Sequence, residues 1–217
     1  MALLLRRLFL VFSLFAVMAA STNALKLYGS QGSRSPLINW YMNELALPFQ
    51  VVPKDAANPH PFGQIPCLVD GQASVFESGA ILLYLATKYD SFVDDQEKAD
   101  CFSWCVWANA SLDPVLFKEN ERGQVIGTGA GQENRRLRGL DTALAGKQYL
   151  CHSDRFTAAD VAVASYLLYI PQFFGPKASF AMYPNIKAYM QRCASRPNYR
   201  KAYPTETDGI LAIVNGY

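Results

Sequence analysis

Three short runs near the start of the chain carry side chains that could do chemistry. Gly32-Ser33-Arg34-Ser35-Pro36 places hydroxyls where a strand turns into a helix. A helix N-terminus presents free amides and a partial positive charge, which favour anions and thiolates. Gln64-Ile65-Pro66 sets a proline at the opening of a strand beside a polar side chain, and Glu77-Ser78 sets an acid and a hydroxyl at the start of the next helix. A fourth run, Phe156 to Asp160, reads as a capping box in which Asp stands in for the usual Glu. Taken singly, each has an ordinary reading: Ser35 as a helix cap, Glu77 as a solvated charge, Pro66 as a strand-end residue. No Cys-x-x-Cys occurs and no His/Cys cluster has zinc spacing, so no metal site is expected.

The elements that must position these residues follow from periodicity. Leu25 to Tyr28 reads as a strand ended by Gly29, and Ser35 and Pro36 open a helix with Leu37, Ile38, Tyr41 and Leu45 on one face. Phe49 to Val52 is a second strand, parallel to the first by βαβ logic. A proline-rich stretch leads to a strand at Ile65 to Val69, a turn at Asp70-Gly71, a return strand at Ala73 to Phe76, and a helix from Ser78 to Tyr89. From Asp94 onward no strand pattern is visible, and helices are expected over 99–117, 132–145, 161–170 and 183–195. The third is nearly all apolar and should run through the centre. Gly127 to Gly131 follows no strand and reads as a connector, not a phosphate loop. The expected organisation is an α/β domain over 25–88, an all-helical domain over 95–204 and a tail over 205–217.

The order and spacing of these runs resemble the cytosolic glutathione transferases. NPHPFGQIPCLVDGQASVFESGAILLYLATKY is similar to the glutathione-binding half of that family, and LKLYGSQGS to the opening strand and loop of its serine-type members, the phi, theta and delta classes. SLDPVL, FTAADVAVASYL and ASRPNYRKAY resemble the helical domain, so the likeness spans residues 25–203. The resemblance implies a thioredoxin-like α/β N-terminal domain and an all-α C-terminal domain. It implies a cis bond at Ile65-Pro66, with the Ile65 backbone pairing the cysteinyl part of glutathione, the co-substrate. Gln64 would add a side-chain hydrogen bond, while Glu77 and Ser78 would hold the γ-glutamyl end. Ser33 would donate its hydroxyl to the glutathione sulfur and lower the thiol pKa from ~8.5, making the bound thiolate the nucleophile. Ser33 fits by its distance from the first strand; Ser35 is the next candidate, Tyr28 reads as core, and Arg34 is read as pointing to solvent. The implied activity is conjugation of a small hydrophobic electrophile, as in detoxification, or reduction of a peroxide, by a homodimer.

One departure stands out. Where the family places a short second helix whose basic side chains bind the glycine carboxylate, this chain has only Pro53 to Pro61. Lys54 is the candidate replacement and His60 a weaker one. The electrophile would lie between the domains against Trp104 and Trp107, although their helical spacing fits core packing equally. The shortened segment keeps a second function class open: a non-catalytic binding or interaction module on the same fold.

Composition bounds the rest. The chain has 217 residues, 51% of them hydrophobic, with 2 His and a net charge of +2. That excludes a disordered tail and gives no basic platform for nucleic acid. Residues 1–24 have Arg6 and Arg7, then an apolar run from Leu8 to Ala20, then small and polar residues, which is the layout of a secretory signal peptide. The run is shorter than the ~20 residues that span a membrane as a helix, so cleavage is expected, with no membrane association afterwards. Cleavage removes two arginines and no acid, leaving a neutral body of 18 basic and 18 acidic residues. The expected destination is the endoplasmic reticulum or the exterior, with a plastid reached by the same route as the alternative. Cys67, Cys101, Cys105, Cys151 and Cys193 are odd in number and irregular in spacing, unlike a disulfide framework. The sequon at Asn109 lies inside a helical run and is expected to be unused.

Overall fold

The computed structural model describes residues 24–55 and 57–217, so the signal-peptide reading of 1–24 falls, Ala24 apart, outside the described residues. In β1 (Leu25–Tyr28) Leu25 and Leu27 are buried and Lys26 is exposed, the period of two that a half-covered strand requires. With β2 (Phe49–Val52), β3 (Cys67–Asp70) and β4 (Ala73–Phe76) it forms a sheet of order β2-β1-β3-β4. Leu27 faces Val51 across the parallel β1–β2 pair and Leu68 across the antiparallel β1–β3 pair. The parallel pair is joined through α1 (Ser35–Glu44), the crossover that parallel strands need. Leu37 and Ile38 of α1 and Ile81, Leu82 and Leu85 of α2 (Ser78–Tyr89) are at most 1% exposed. This is the thioredoxin-like mixed sheet, followed by an all-helical domain.

The helical domain departs from its sequence-based outline in three places. The helix expected over 99–117 starts earlier, as α3 (Asp95–Trp107), because Asp94 Oδ1 accepts the Glu97 N–H at 2.7 Å and caps it. It then widens into a π-helical turn at Ala108–Leu112 and resumes as the short α4 (Asp113–Leu116), where Pro114 sits in the first turn. Strands were not expected after Asp94, yet β5 (Lys118–Glu119) and β6 (Val125–Gly127) form a small hairpin ahead of α5 (Arg135–Ala143). The third departure is at the end of the chain. The residues expected as a tail form α9 (Thr207–Asn215), which buries Ile210 and Val214, since two apolar residues four apart share one helix face.

The centre is α6 (Ala158–Phe174), buried along its first fourteen residues. Its capping box is as the sequence implies: Thr157 Oγ1 accepts the Ala159 N–H, and Asp160 Oδ2 accepts the Thr157 N–H at 2.9 Å. Asp160 also takes the Leu150 N–H and the Tyr189 hydroxyl, and burial pushes its carboxyl up to about 7. Helices α7 (Pro184–Ala194) and α8 (Pro197–Ala202) close the domain. Arg196, just before α8, reaches back to Glu44 of α1 through two hydrogen bonds of 2.8 Å, and Glu44 also accepts from Trp40 and Asn198. All five cysteines are free and buried. Among the described residues no helix is long and apolar enough to cross a membrane, and no metal-holding cluster is found.

Candidate functional site

The loop between β1 and α1 folds tightly because Gly29 lacks a side chain: a Cβ there would lie 2.4 Å from Ser35. This closeness brings three serines together. Ser35 Oγ accepts the Ser30 N–H at 3.3 Å and lies 2.7 Å from Ser33 Oγ, which in turn accepts the Ser35 N–H at 3.1 Å. Ser33 thus takes the helix amide. Ser35, expected as the cap, is instead the first helical residue, 3% exposed, with its hydroxyl turned into the loop. With the Ser35 hydroxyl donating to Ser33, both acceptor positions of Ser33 are filled and one proton is left to give. It rests on the Ser30 carbonyl at 2.9 Å. A hydroxyl that accepts twice is a better donor, because each accepted bond polarises its O–H.

Ser33 opens on a cavity of about 330 Å³ lined also by Arg34, His60, Gln64, Ile65, Pro66, Glu77 and Ser78. Three separated runs of the sequence are therefore one site. The Ile65-Pro66 bond is cis, as the resemblance implies. Among the described residues the Ile65 N–H and C=O make no backbone hydrogen bond, which leaves a donor and an acceptor without a backbone partner on a residue that lines the cavity. Glu77 holds φ at +68°, a conformation that costs a non-glycine residue of order 1–3 kcal/mol and gathers at ligand clamps. Ser78 is 3% exposed at the start of α2. His60 Nδ1 accepts the Phe62 N–H at 3.1 Å, so the neutral ring carries its proton on Nε2.

Three expected residues are placed elsewhere. Lys54 is exposed two residues past the end of β2 and does not line the cavity, and His60 is the basic side chain of that segment that does. Trp104 and Trp107 line a separate, open cavity of about 680 Å³ with Asn134, Arg135, Arg136 and Leu140, with no residue of the sheet domain. The face of α3 that carries them meets α5 at this cavity. Arg34 corrects the opposite way. Read as solvent-facing, it lies 2.8 Å from Asp113 and its guanidinium sits 5.1 Å from the centre of the Tyr166 ring. Burial would lower its pKa, but the Tyr166 phenol and the charge and hydrogen bond of Asp113 outweigh that and raise it.

Asn109, Asp113 and Tyr166 escaped the sequence reading. Asn109 was legible in principle: it lies four residues after Cys105 on the buried stripe Cys101, Cys105, Ala108, Leu112, where a polar side chain needs a partner. Tyr166 has no such mark among the other apolar residues of α6.

Comparison with known proteins agrees with this fold. Residues 23–87 match the glutathione S-transferase N-terminal domain and residues 106–197 the C-terminal domain. Glutathione S-transferase 3 of Zea mays is 31% identical over 206 residues, covering 82% of this chain and 92% of that protein. A glutathione S-transferase domain-containing protein of Dictyostelium discoideum is 30% identical over 170 residues, and the match spans 70% of this chain but only 64% of that relative's length. Among solved structures, glutathione S-transferase III in its apo form superposes with a TM-score of 0.63 at 29% identity, covering 84% of this chain and 96% of that one. Both domain models, in the right order over one continuous chain, together with a near full-length relative, place this chain in the glutathione S-transferase family.

Proposed function

We propose that the protein is a glutathione transferase of the serine type, with Ser33 as the hydroxyl that stabilises the glutathione thiolate. One observation carries the reading: the Ser33 hydroxyl, the one side chain of the loop that accepts the helix amide, lines the cavity that also gathers Gln64, Ile65, Glu77 and Ser78. Glutathione would lay its cysteinyl backbone along Ile65, its γ-glutamyl carboxylate on Ser78 and its ammonium toward Glu77. Ser33 turns its proton from the Ser30 carbonyl to the sulfur. The thiol proton passes to water, and the thiolate attacks an electrophilic carbon, forming a C–S bond as the leaving group departs. The cavity size suits a peptide of this kind, within the usual ~300–1,000 Å³ of ligand sites. The test is conjugation of an aryl halide by the chain from Leu25 onward: turnover that depends on Ser33 supports the reading, and no turnover with no glutathione binding at millimolar concentration overturns it.

A second reading is favoured by the position of Lys54. With that cation outside the cavity, the glycyl carboxylate has His60 as its nearest basic group from this segment. A module that binds glutathione weakly without conjugating it would bind but give neither thiolate nor product. The homodimer belongs to the same proposal, supported by an open apolar groove of about 410 Å³ at Ala80, Leu83, Val106 and Ala110 between α2 and α3. Sedimentation of the chain from Leu25 onward would test it, a monomer counting against it. Passage through the secretory pathway is also proposed, on the strength of residues 1–24 alone; secretion of a fusion carrying them would test it.

A further inference from the structure

We infer that Tyr166, in the helical domain, is a positioning residue for the γ-glutamyl end of the ligand and acts through Asn109. The inference rests on the glutathione reading above. Tyr166 is 1% exposed and lies behind the site. Its hydroxyl donates to Asn109 Oδ1 at 2.9 Å, and the Ser78 hydroxyl faces the same oxygen at 3.5 Å. Asn109 Nδ2 donates to the Cys105 carbonyl at 2.9 Å, one turn back, and this fixes the amide so that its oxygen meets both hydroxyls. The approach depends on Gly79, where a Cβ would fall 2.7 Å from Asn109 Nδ2. Burial raises the Tyr166 phenol to about 12, so it remains a donor at neutral pH.

A serine hydroxyl has one proton to give. To hold a carboxylate, Ser78 must turn that proton away from Asn109 and toward the ligand. Asn109 Oδ1 then keeps Tyr166 as its donor, and no buried acceptor is left unpaired. With the Tyr166 hydroxyl removed, Ser78 is the remaining side-chain donor to this oxygen among the described residues, and ligand binding would strip it. Tyr166 thus frees Ser78 for the ligand. The ring itself lies against Arg34, so a phenylalanine there keeps the contact at the sulfur end while losing the one at the γ-glutamyl end.

The experiment compares wild type and Tyr166→Phe, as the chain from Leu25 onward, binding glutathione and 4-aminobutyryl-cysteinylglycine, the same tripeptide without the α-carboxylate. The Kd for glutathione should rise about fivefold, the effect of one net hydrogen bond. The Kd for the analogue should stay within twofold, and so should the pH midpoint of the bound thiolate in proton concentration. In an Asn109→Ala background, adding Tyr166→Phe should leave the glutathione Kd unmoved, because the oxygen through which it acts is gone. Equal weakening of both ligands, or an unchanged glutathione Kd in a wild type that binds glutathione, overturns this inference and leaves the functional reading standing. A wild type that binds no glutathione overturns both.

Discussion

Ser33 Oγ lies 2.7 Å from Ser35 Oγ, and the second hydroxyl prepares the first. Ser35 faces away from the cavity, so its influence on a bound thiol passes through Ser33. Replacing Ser35 with Ala removes one of the two hydrogen bonds that Ser33 accepts but keeps the helix amide on it. The bound thiol pKa should rise by about half a unit to one unit, a fraction of the effect of losing Ser33 itself. Thiolate absorbance against pH measures this; a shift as large as that of Ser33→Ala would mean that Ser35 is the group touching sulfur.

Arg34 and Asp113 are joined across the domain boundary at 2.8 Å, with side chains 42% and 21% exposed. Their variants should move the bound thiol in opposite directions. Arg34→Gln removes a positive charge beside Ser33 and should raise the thiol pKa, while Asp113→Asn leaves that charge unopposed and should lower it, each by about half a unit in this partly solvated setting. Shifts of the same sign would show that the pair acts only as a structural strut.

Glu97 is buried, and its carboxylate is held by Arg155, Ser153 and the Val93 N–H. Burial alone would raise its pKa, but the hydrogen bonds of Arg155, Ser153 and Val93 outweigh that and lower it to about 2. A carboxyl depressed in the folded state contributes stability that is complete above its unfolded value, near 4.5, and is lost as pH falls through about 2. The difference in unfolding free energy between wild type and Glu97→Gln should therefore shrink by about 3 kcal/mol between pH 6 and pH 2. Urea denaturation at a series of pH values checks it, and a pH-independent difference would contradict it.

Glu44 is 9% exposed and satisfies Arg196, Trp40 and Asn198 at once. At the joint between domains, Glu44→Ala takes the carboxylate from a guanidinium that keeps the Tyr149 hydroxyl and the Phe156 ring and is 27% exposed, so the loss should be that of a charge-assisted hydrogen bond, about 1.5–3 kcal/mol. Urea unfolding should register most of that, and a loss below 1 kcal/mol would mean that the joint does not depend on the pair.

The sheet domain was legible because its signals are local. Alternation in LKLY, the Asp70-Gly71 turn and the Ser-Pro helix start each fix one element, and the order of Ser33, Gln64-Ile65-Pro66 and Glu77-Ser78 carries the site. What was not legible depends on contacts across the chain. Arg34 reads as a surface cation until Asp113 and Tyr166 arrive from more than seventy residues away. Trp104 and Trp107 have the spacing of one helix face, but the sequence does not say which way that face turns. Lys54 reads as the basic residue of a short segment, and only the path of that segment shows His60 in the cavity instead.

Whether Ser33 stabilises a glutathione thiolate is read from the ultraviolet absorbance of bound glutathione, titrated against pH in wild type and Ser33→Ala. A thiolate band is expected in the wild type at neutral pH, with a midpoint well below the free thiol value of ~8.5, and a midpoint returned to about that value in Ser33→Ala. A Ser33→Ala protein that binds glutathione and titrates as the wild type does would contradict it.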